Sequence, residues 1–166
     1  MVNENARFLD TGTQVYDFYE EFLVVCPKCA GLARVLIDRD ELEKMSKKKI
    51  DRLRNLLFAP RRLVCLSCLH RDYRKCTQIA VGGGVDWYFR LPLWLDVPCC
   101  GERLWAYNRQ YLETLENYVG AKLRERTIEG RRSFLSKLPT WIKLAKNRAE
   151  ILRAIEKLKA KLPAGV

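Results

Sequence analysis

The chain has 166 residues, with 31 Lys and Arg residues against 20 Asp and Glu residues, for a formal net charge of +11. Hydrophobic residues make up 48% of it, enough to build a folded core, which excludes a disordered basic tail. A single histidine, His70, argues against His-based triads and multi-histidine catalytic metal sites. No apolar run approaches the roughly 18 residues of a membrane span, and the N-terminus does not resemble a secretory signal. We therefore expect a cytoplasmic protein with no membrane partner.

The N-terminal half predicts two similar hairpins. In each, a short apolar run leads into a Cys-x-x-Cys turn and a second extended run returns from it. The predicted strands are residues 22–25, 32–37, 61–64 and 71–79.

A helix is predicted between the hairpins. Asp40 with Glu43 fits a capping box, apolar residues recur at helical spacing from Leu42 to Leu57, and Pro60 ends the pattern.

The second half begins with an aromatic-rich stretch, residues 85–95, for which we predict extended, partly buried structure. A strand over residues 103–107 follows, and Asn108 is a plausible cap for the next helix. A second helical block is predicted after Thr140. We predict an α+β protein of two regions: residues 1–107, with a zinc ribbon, its helical insertion and a central antiparallel β region, and residues 108–166, with basic C-terminal helices.

The strongest chemical signal is the pair of motifs Cys26-x-x-Cys29 and Cys65-x-x-Cys68. Two residues between cysteines let one tight turn direct both sulfur atoms at one ion, and two such turns complete a tetrahedral site. Zinc is the expected metal, because tetrahedral sulfur ligation suits zinc or iron and the chain shows no separate redox apparatus. Four protein ligands leave no position for water, so we expect one structural Zn²⁺ and no catalysis there.

Three further cysteines, Cys76, Cys99 and Cys100, do not share this spacing. Adjacent cysteines are awkward ligands for one ion, and free cysteine is commonly a small buried apolar side chain. We therefore expect no second site from these residues and His70, although Cys100-Gly101 could form a third turn of the ribbon type.

Several segments together are similar to a family of small bacterial zinc-ribbon proteins. They are the two Cys-x-x-Cys turns and residues 85–95, 99–108 and 138–148. Members are usually labelled by likeness to the zinc ribbon of a general transcription factor or to the zinc region of a replication-restart helicase. The resemblance implies the ribbon fold and the metal, and it implies no particular activity.

The turns differ from the usual ribbon pattern at one position. Ribbons typically place glycine directly after each second cysteine, whereas Ala30 and Leu69 stand there in this chain and Gly31 comes one position late.

Nucleic-acid binding is the function that the charge favours. The positive charge concentrates in residues 26–70 and 111–166, with net charges of +6 and +7. Basic side chains near the cysteine turns could contact the phosphates of DNA or RNA, and Trp87, Tyr88 and Phe89 could stack on bases. The candidate phosphate-binding residues are Lys47, Lys48, Lys49, Arg52, Arg54, Arg61, Arg62, Arg71, Arg74 and Lys75.

Two other classes of function are possible. A protein-interaction adaptor could use the zinc ribbon as a scaffold and dock an acidic partner on Trp141 and the apolar stripe from Ile142 to Leu162, although such a stripe can equally be core. An enzyme is the least favoured, because His70-Arg71-Asp72 matches neither a zinc deaminase nor a complete kinase signature, and no small-molecule substrate is expected.

Overall fold

The computed structural model describes residues 7–45, 56–126 and 132–164. The chain divides into two compact units, residues 19–95 and residues 1–18 with 96–166. The predicted boundary after residue 107 differs from this division, because the strands that follow the aromatic stretch belong with the C-terminal helices. Among the described residues, no helix has the length and apolarity needed to cross a membrane.

The unit of residues 19–95 is built on a four-stranded antiparallel sheet in the order β2-β3-β4-β5. The strands are β2 (Glu21–Val25), β3 (Leu32–Ile37), β4 (Arg61–Cys65) and β5 (Arg71–Arg74). The sequence predicted these four strands, although β5 is shorter than expected. Side chains alternate between the faces, and the register places Phe22, Val35 and Leu63 in one row on the buried face.

Helix α1 (Arg39–Met45) follows β3. Its first turn is capped by Asp38, whose Oδ1 accepts a hydrogen bond from the backbone N–H of Glu41 at 3.3 Å. The predicted cap at Asp40 was therefore two residues late, and the Asp38-Glu41 spacing is the capping signal that the sequence contained. Residues 46–55 of the predicted helical insertion lie outside the described residues.

The aromatic stretch closes the buried face of the sheet. Trp87 and Tyr88 are 1% and 3% exposed, and both rings pack against Phe22 with centroid distances of 5.0 and 5.7 Å. Buried Asp86 orders the loop, because its carboxylate accepts backbone N–H bonds from Tyr88, Phe89 and Leu91 at 2.6–2.8 Å. The predicted extended structure is reduced to isolated bridges.

The other unit combines two small sheets with helices. Strand β1 (Arg7–Asp10) pairs in parallel with β8 (Leu123–Arg126), and β6 (Leu95–Cys99) forms a hairpin with β7 (Glu102–Ala106). The helices are α2 (Arg109–Gly120), α3 (Thr140–Lys143) and α4 (Arg148–Ala160). The Asn108 side chain caps α2, as predicted, by accepting the Tyr111 N–H at 2.9 Å.

The apolar stripe of the C-terminal helix is core. Ile151, Ala154, Ile155 and Leu158 are buried, and Lys159 of α4 reaches Glu116 of α2 at 3.0 Å. Of the two interpretations of this stripe, packing within the unit is the one the fold supports, and the stripe is not a free docking surface.

Candidate metal centre and adjoining sheet face

The two Cys-x-x-Cys turns lie at the same end of the four-stranded sheet. Residues 26–31, the first knuckle, join β2 to β3, and residues 65–70, the second knuckle, join β4 to β5. Because β3 and β4 are paired neighbours, with Ala33 opposite Cys65, the sheet brings both knuckles together. The Sγ atoms of Cys26, Cys29, Cys65 and Cys68 all lie within 4.8 Å of one another. The predicted ligand set is thus assembled at one point and could hold a metal ion.

The sulfur spacing fits tetrahedral coordination. Cys26 Sγ lies 3.8 Å from Cys68 Sγ, and Cys29 Sγ lies 3.5 Å from Cys65 Sγ. Two sulfur atoms bound at about 2.3 Å to a tetrahedral centre are about 3.8 Å apart. One ion can therefore occupy the cluster with little movement of the side chains.

Backbone amides surround the sulfur atoms. The N–H groups of Lys28 and Gly31 donate to Cys26 and Cys29, each at 3.4 Å. In the second knuckle both Ser67 and Cys68 donate to Cys65 at 3.4 Å. These bonds stabilise negative charge on sulfur, as a thiolate ligand requires.

The thiols of the second knuckle differ in acidity. The N–H of Cys68 lowers the pKa of Cys65 to about 6, with Ser67 acting in the same direction. The N–H of His70 acts to lower the pKa of Cys68, yet burial and the neighbouring thiols raise it to about 12. Four thiolates at this spacing repel one another, so a metal ion is what permits all four to lose their protons.

The residue after each second cysteine has a left-handed backbone. Ala30 has φ of 59° and Leu69 has φ of 60°. This conformation costs a residue with a side chain about 1–2 kcal/mol, which explains why glycine is usual there in ribbons. Both turns are closed by backbone hydrogen bonds without glycine at this position: Ala30 N–H donates to Cys26 O at 2.9 Å, and Cys65 N–H donates to His70 O at 2.8 Å.

Gly31 serves a different purpose, which is close approach. A Cβ at this position would lie 2.6 Å from Ser67 Oγ, 3.1 Å from Ser67 Cβ and 3.2 Å from Cys29 Sγ. The glycine that the sequence places one position late therefore lets the two knuckles meet.

Five of the predicted phosphate-binding residues, Lys47, Lys48, Lys49, Arg52 and Arg54, lie outside the described residues. Arg62, Arg71, Arg74 and Lys75 are exposed. Arg74 faces the buried side of the sheet at its edge, where it donates to Tyr88 O at 2.7 Å and stacks over Phe89.

The prediction that Arg61 contacts phosphates is wrong, because its side chain is fully buried. Its guanidinium donates to Tyr19 O and Tyr88 Oη, both at 2.6 Å, and to Leu56 O at 3.2 Å. Burial lowers its pKa, an effect that neighbouring Tyr88 opposes. Arg61 is a structural residue, since strand alternation turns it inward while it turns Arg62 outward.

Two rows of side chains cross the outer side of strands β3, β4 and β5. The register aligns Arg34, Val64 and Arg71 in one row and Leu36, Arg62 and Tyr73 in the other. We call these six residues the open face. All six are partly or fully exposed, and Tyr73 is 43% exposed.

A groove of about 550 Å³ lies along this face, lined in part by Leu36, Arg62, Arg71 and Tyr73. Arg34 is paired with Glu21, and Arg62 lies 3.6 Å from Asp38. Within the described part of the chain, Arg71 has no ion-pair partner. The groove therefore combines cationic, aromatic and aliphatic surface with one carboxylate, that of Asp72.

The aromatic side chains expected to stack on bases are not the ones exposed here. Trp87 and Tyr88 are core residues and Phe89 is half-buried. Sequence reasoning missed Arg34 and Tyr73; the signal that could have found them is the period-two alternation of β3 and β5, read together with the hairpin register.

Comparison with known proteins adds no relative: the chain matches no family model, and neither functionally curated proteins nor solved structures yielded a similar one.

Proposed function

We propose that this chain is a zinc-stabilised protein that binds single-stranded nucleic acid across the open face. The observation that carries the proposal is the juxtaposition of Arg62, Arg71 and Tyr73 around one groove, on the same hairpin that supplies two of the four cysteines.

Zinc is the proposed occupant of the four-cysteine cluster. Its preference for tetrahedral thiolate ligation agrees with the sulfur spacing, and the amide bonds to sulfur supply the electrostatic support that a neutralised tetrathiolate needs. With all four positions filled by protein, the ion would stabilise the hairpins and activate no water. Purified protein, washed with a mild chelator, should retain about one zinc per chain.

The open face supports single strands better than duplexes. An unpaired base exposes its flat surface, which can stack on Tyr73, while arginine donors on neighbouring strands contact phosphates. Leu36 and Val64 provide apolar contact for sugars and bases between those charges. This chemistry requires no particular base sequence.

The experiment is a fluorescence anisotropy titration of the full chain with labelled poly-dT, poly-U and a duplex over a series of salt concentrations. We expect the single strands to bind more tightly than the duplex. Arg71→Ala should reduce the steepness of the salt dependence by about 0.7, the value for one lost phosphate contact on a single strand. Tyr73→Ala should weaken binding by roughly tenfold, with little change in salt dependence.

Arg153→Ala is the matched control, because Arg153 is an exposed arginine on α4, in the other unit. It should bind as the unchanged protein does. The proposal fails if the chain has no affinity for single strands even at low salt, or if Arg71→Ala and Tyr73→Ala bind as Arg153→Ala does.

A second candidate function is a protein-interaction adaptor, and one observation favours it. Leu66 and Leu69, on the second knuckle, are 46% and 72% exposed. Two exposed apolar side chains on one short turn are suited to fill a pocket on a partner, and the basic residues nearby would favour an acidic one.

Substitutions at different residues distinguish the two candidate functions. If the adaptor function holds, Leu66→Ser with Leu69→Ser should abolish an association with an acidic protein that survives nuclease treatment, and Arg71→Ala with Tyr73→Ala should leave that association intact. The opposite pattern, measured with labelled single strands, supports nucleic-acid binding.

A further inference from the structure

A second group of metal-ligating atoms lies in the unit of residues 1–18 and 96–166. The Sγ atoms of Cys99 and Cys100 and a carboxylate oxygen of Glu150 all lie within 4.8 Å of one another. Cys76 and His70, which the sequence suggested as companions of these cysteines, belong to neither ligand group found among the described residues.

The turn between β6 and β7 is what brings the adjacent cysteines together. Successive side chains of a strand point to opposite faces, so neighbouring cysteines normally diverge. Here Cys100 has φ of 54° and Gly101 has φ of 77°, the two left-handed residues of a type I′ hairpin turn. The turn interrupts the alternation and places the two Sγ atoms 3.6 Å apart.

The distance between the two Sγ atoms is suitable for both cysteines to bind one ion. It is close to the 3.8 Å expected of two thiolates on one tetrahedral ion, and it equals, within a few tenths of an ångström, the 3.5 and 3.8 Å spacings within the four-cysteine cluster. Cys100 also occupies a left-handed position that glycine, asparagine or aspartate usually fills, so its presence carries a backbone cost.

Glu150 supplies the third donor from a different element. It lies in the first turn of α4, and one of its carboxylate oxygens accepts the backbone N–H of Cys100 at 2.6 Å. The bond holds the carboxylate against the turn and leaves its second oxygen for a ligand. Cys99 is buried, Cys100 is half-buried and Glu150 is exposed, so the group is anchored on one side and open to solvent on the other.

We propose that Cys99, Cys100 and Glu150 form a second metal site, which binds a thiophilic divalent cation of the zinc class. Three protein donors leave one tetrahedral position for water or an external ligand. The site would thus differ from the four-cysteine cluster in being open and exchangeable, and its existence does not depend on nucleic-acid binding or on the identity of the metal in that cluster.

The test uses the full chain, washed with a mild chelator and then dialysed against Cd²⁺, with total zinc plus cadmium per chain measured by elemental analysis. We expect two ions per chain in the unchanged protein and one in Cys99→Ser with Cys100→Ser. Cys76→Ser, the matched control at another buried cysteine, should keep two.

Glu150→Gln refines the test, because glutamine can still accept the Cys100 N–H but carries no charge. It should weaken the second Cd²⁺ by at least tenfold while the fold, followed by thermal melting, is unchanged.

Equal ion counts in the unchanged protein and the double cysteine variant overturn the proposal. Cys100→Ser alone serves the same purpose if the double variant does not fold. Failure of the four-cysteine assignment would be seen separately: the unchanged protein would keep no ion through the chelator wash but would still take up one Cd²⁺, which the double cysteine variant would not.

Discussion

Arg61 and Arg62 are consecutive residues of one strand, and the sheet gives them opposite roles. Arg61 lies on the buried face, where three acceptors surround its guanidinium, and Arg62 lies on the open face, 3.6 Å from Asp38 and 48% exposed along its side chain. Both were candidates for phosphate contacts because they share charge and sequence neighbourhood. The difference shows that, in a strand, the face decides whether a cation is buried in the core or stays accessible to a ligand.

The four-cysteine cluster fixes the end of the sheet on which both faces depend, so its loss should have the largest effect. Cys68→Ser removes one ligand of the proposed zinc ion and should forfeit much of the roughly 10 kcal/mol or more that a structural zinc contributes, giving insoluble or protease-sensitive protein. Cys76→Ser should be mild by comparison, since Cys76 is a buried thiol outside the cluster. Limited proteolysis and zinc content measure the difference, and equal resistance of the two variants would contradict the assignment.

The contrast between the faces is tested directly by the same substitution at adjacent positions. Arg61→Met removes the guanidinium that donates to Tyr19 O, Leu56 O and Tyr88 Oη in the core, and it should lower the free energy of unfolding by about 3 kcal/mol or more. Arg62→Met removes only an exposed ion pair, worth under about 1 kcal/mol. Urea denaturation of metal-loaded protein measures both.

In the binding assay the order of the two effects should be reversed, with Arg62→Met having the larger one. Arg62→Met is expected to weaken single-strand binding, whereas folded Arg61→Met should bind normally at temperatures well below its melting point. If both substitutions cost the same stability, or if Arg61→Met impairs binding in the folded protein, the assignment of the two arginines to different roles is wrong.

Much of the fold could be predicted from local patterns in the sequence. Alternation and the cysteine turns predicted strands β2, β3 and β4 closely, and the Asn108 cap gave the start of α2. The parallel pairing of β1 with β8 was beyond such reasoning, because it joins segments more than a hundred residues apart and neither is strongly apolar. Long-range pairing is decided by tertiary packing, which no local pattern encodes.

The candidate sites also differ in whether local sequence patterns could predict them. Both halves of the four-cysteine cluster could be predicted because their spacing is local, whereas the open face needed the register that places Arg34, Val64 and Arg71 in one row across three strands. The Cys99 and Glu150 group was invisible for two reasons: alternation argues against convergence of adjacent cysteines, and the third donor is fifty residues away.

The contact between the knuckles should be sensitive to a single methyl group. Gly31→Ala places a Cβ 3.1 Å from Ser67 Cβ and 3.2 Å from Cys29 Sγ, so we expect a loss of about 1–2 kcal/mol in urea denaturation of the metal-loaded protein. Gly120→Ala, where the added Cβ meets nothing within 4 Å, should be neutral or stabilising. Adding Ser67→Ala to Gly31→Ala removes the 2.6 Å contact and should restore part of the loss; no recovery would mean that the knuckles do not meet there.

The smallest expected effect is a gain in stability, at the second knuckle. Leu69→Gly relieves a left-handed backbone at φ of 60° and gives up little packing, because Leu69 is 72% exposed. The free energy of unfolding should rise by about 1 kcal/mol after the greater entropy of glycine in the unfolded chain is included. Leu66 is at an exposed position of the same knuckle and has no positive φ. Leu66→Gly should therefore lower the free energy of unfolding by about 0.5–1 kcal/mol. Because both substitutions remove the same side chain, opposite signs isolate the backbone contribution, and a loss of stability in both would show that residue 69 does not have a left-handed backbone.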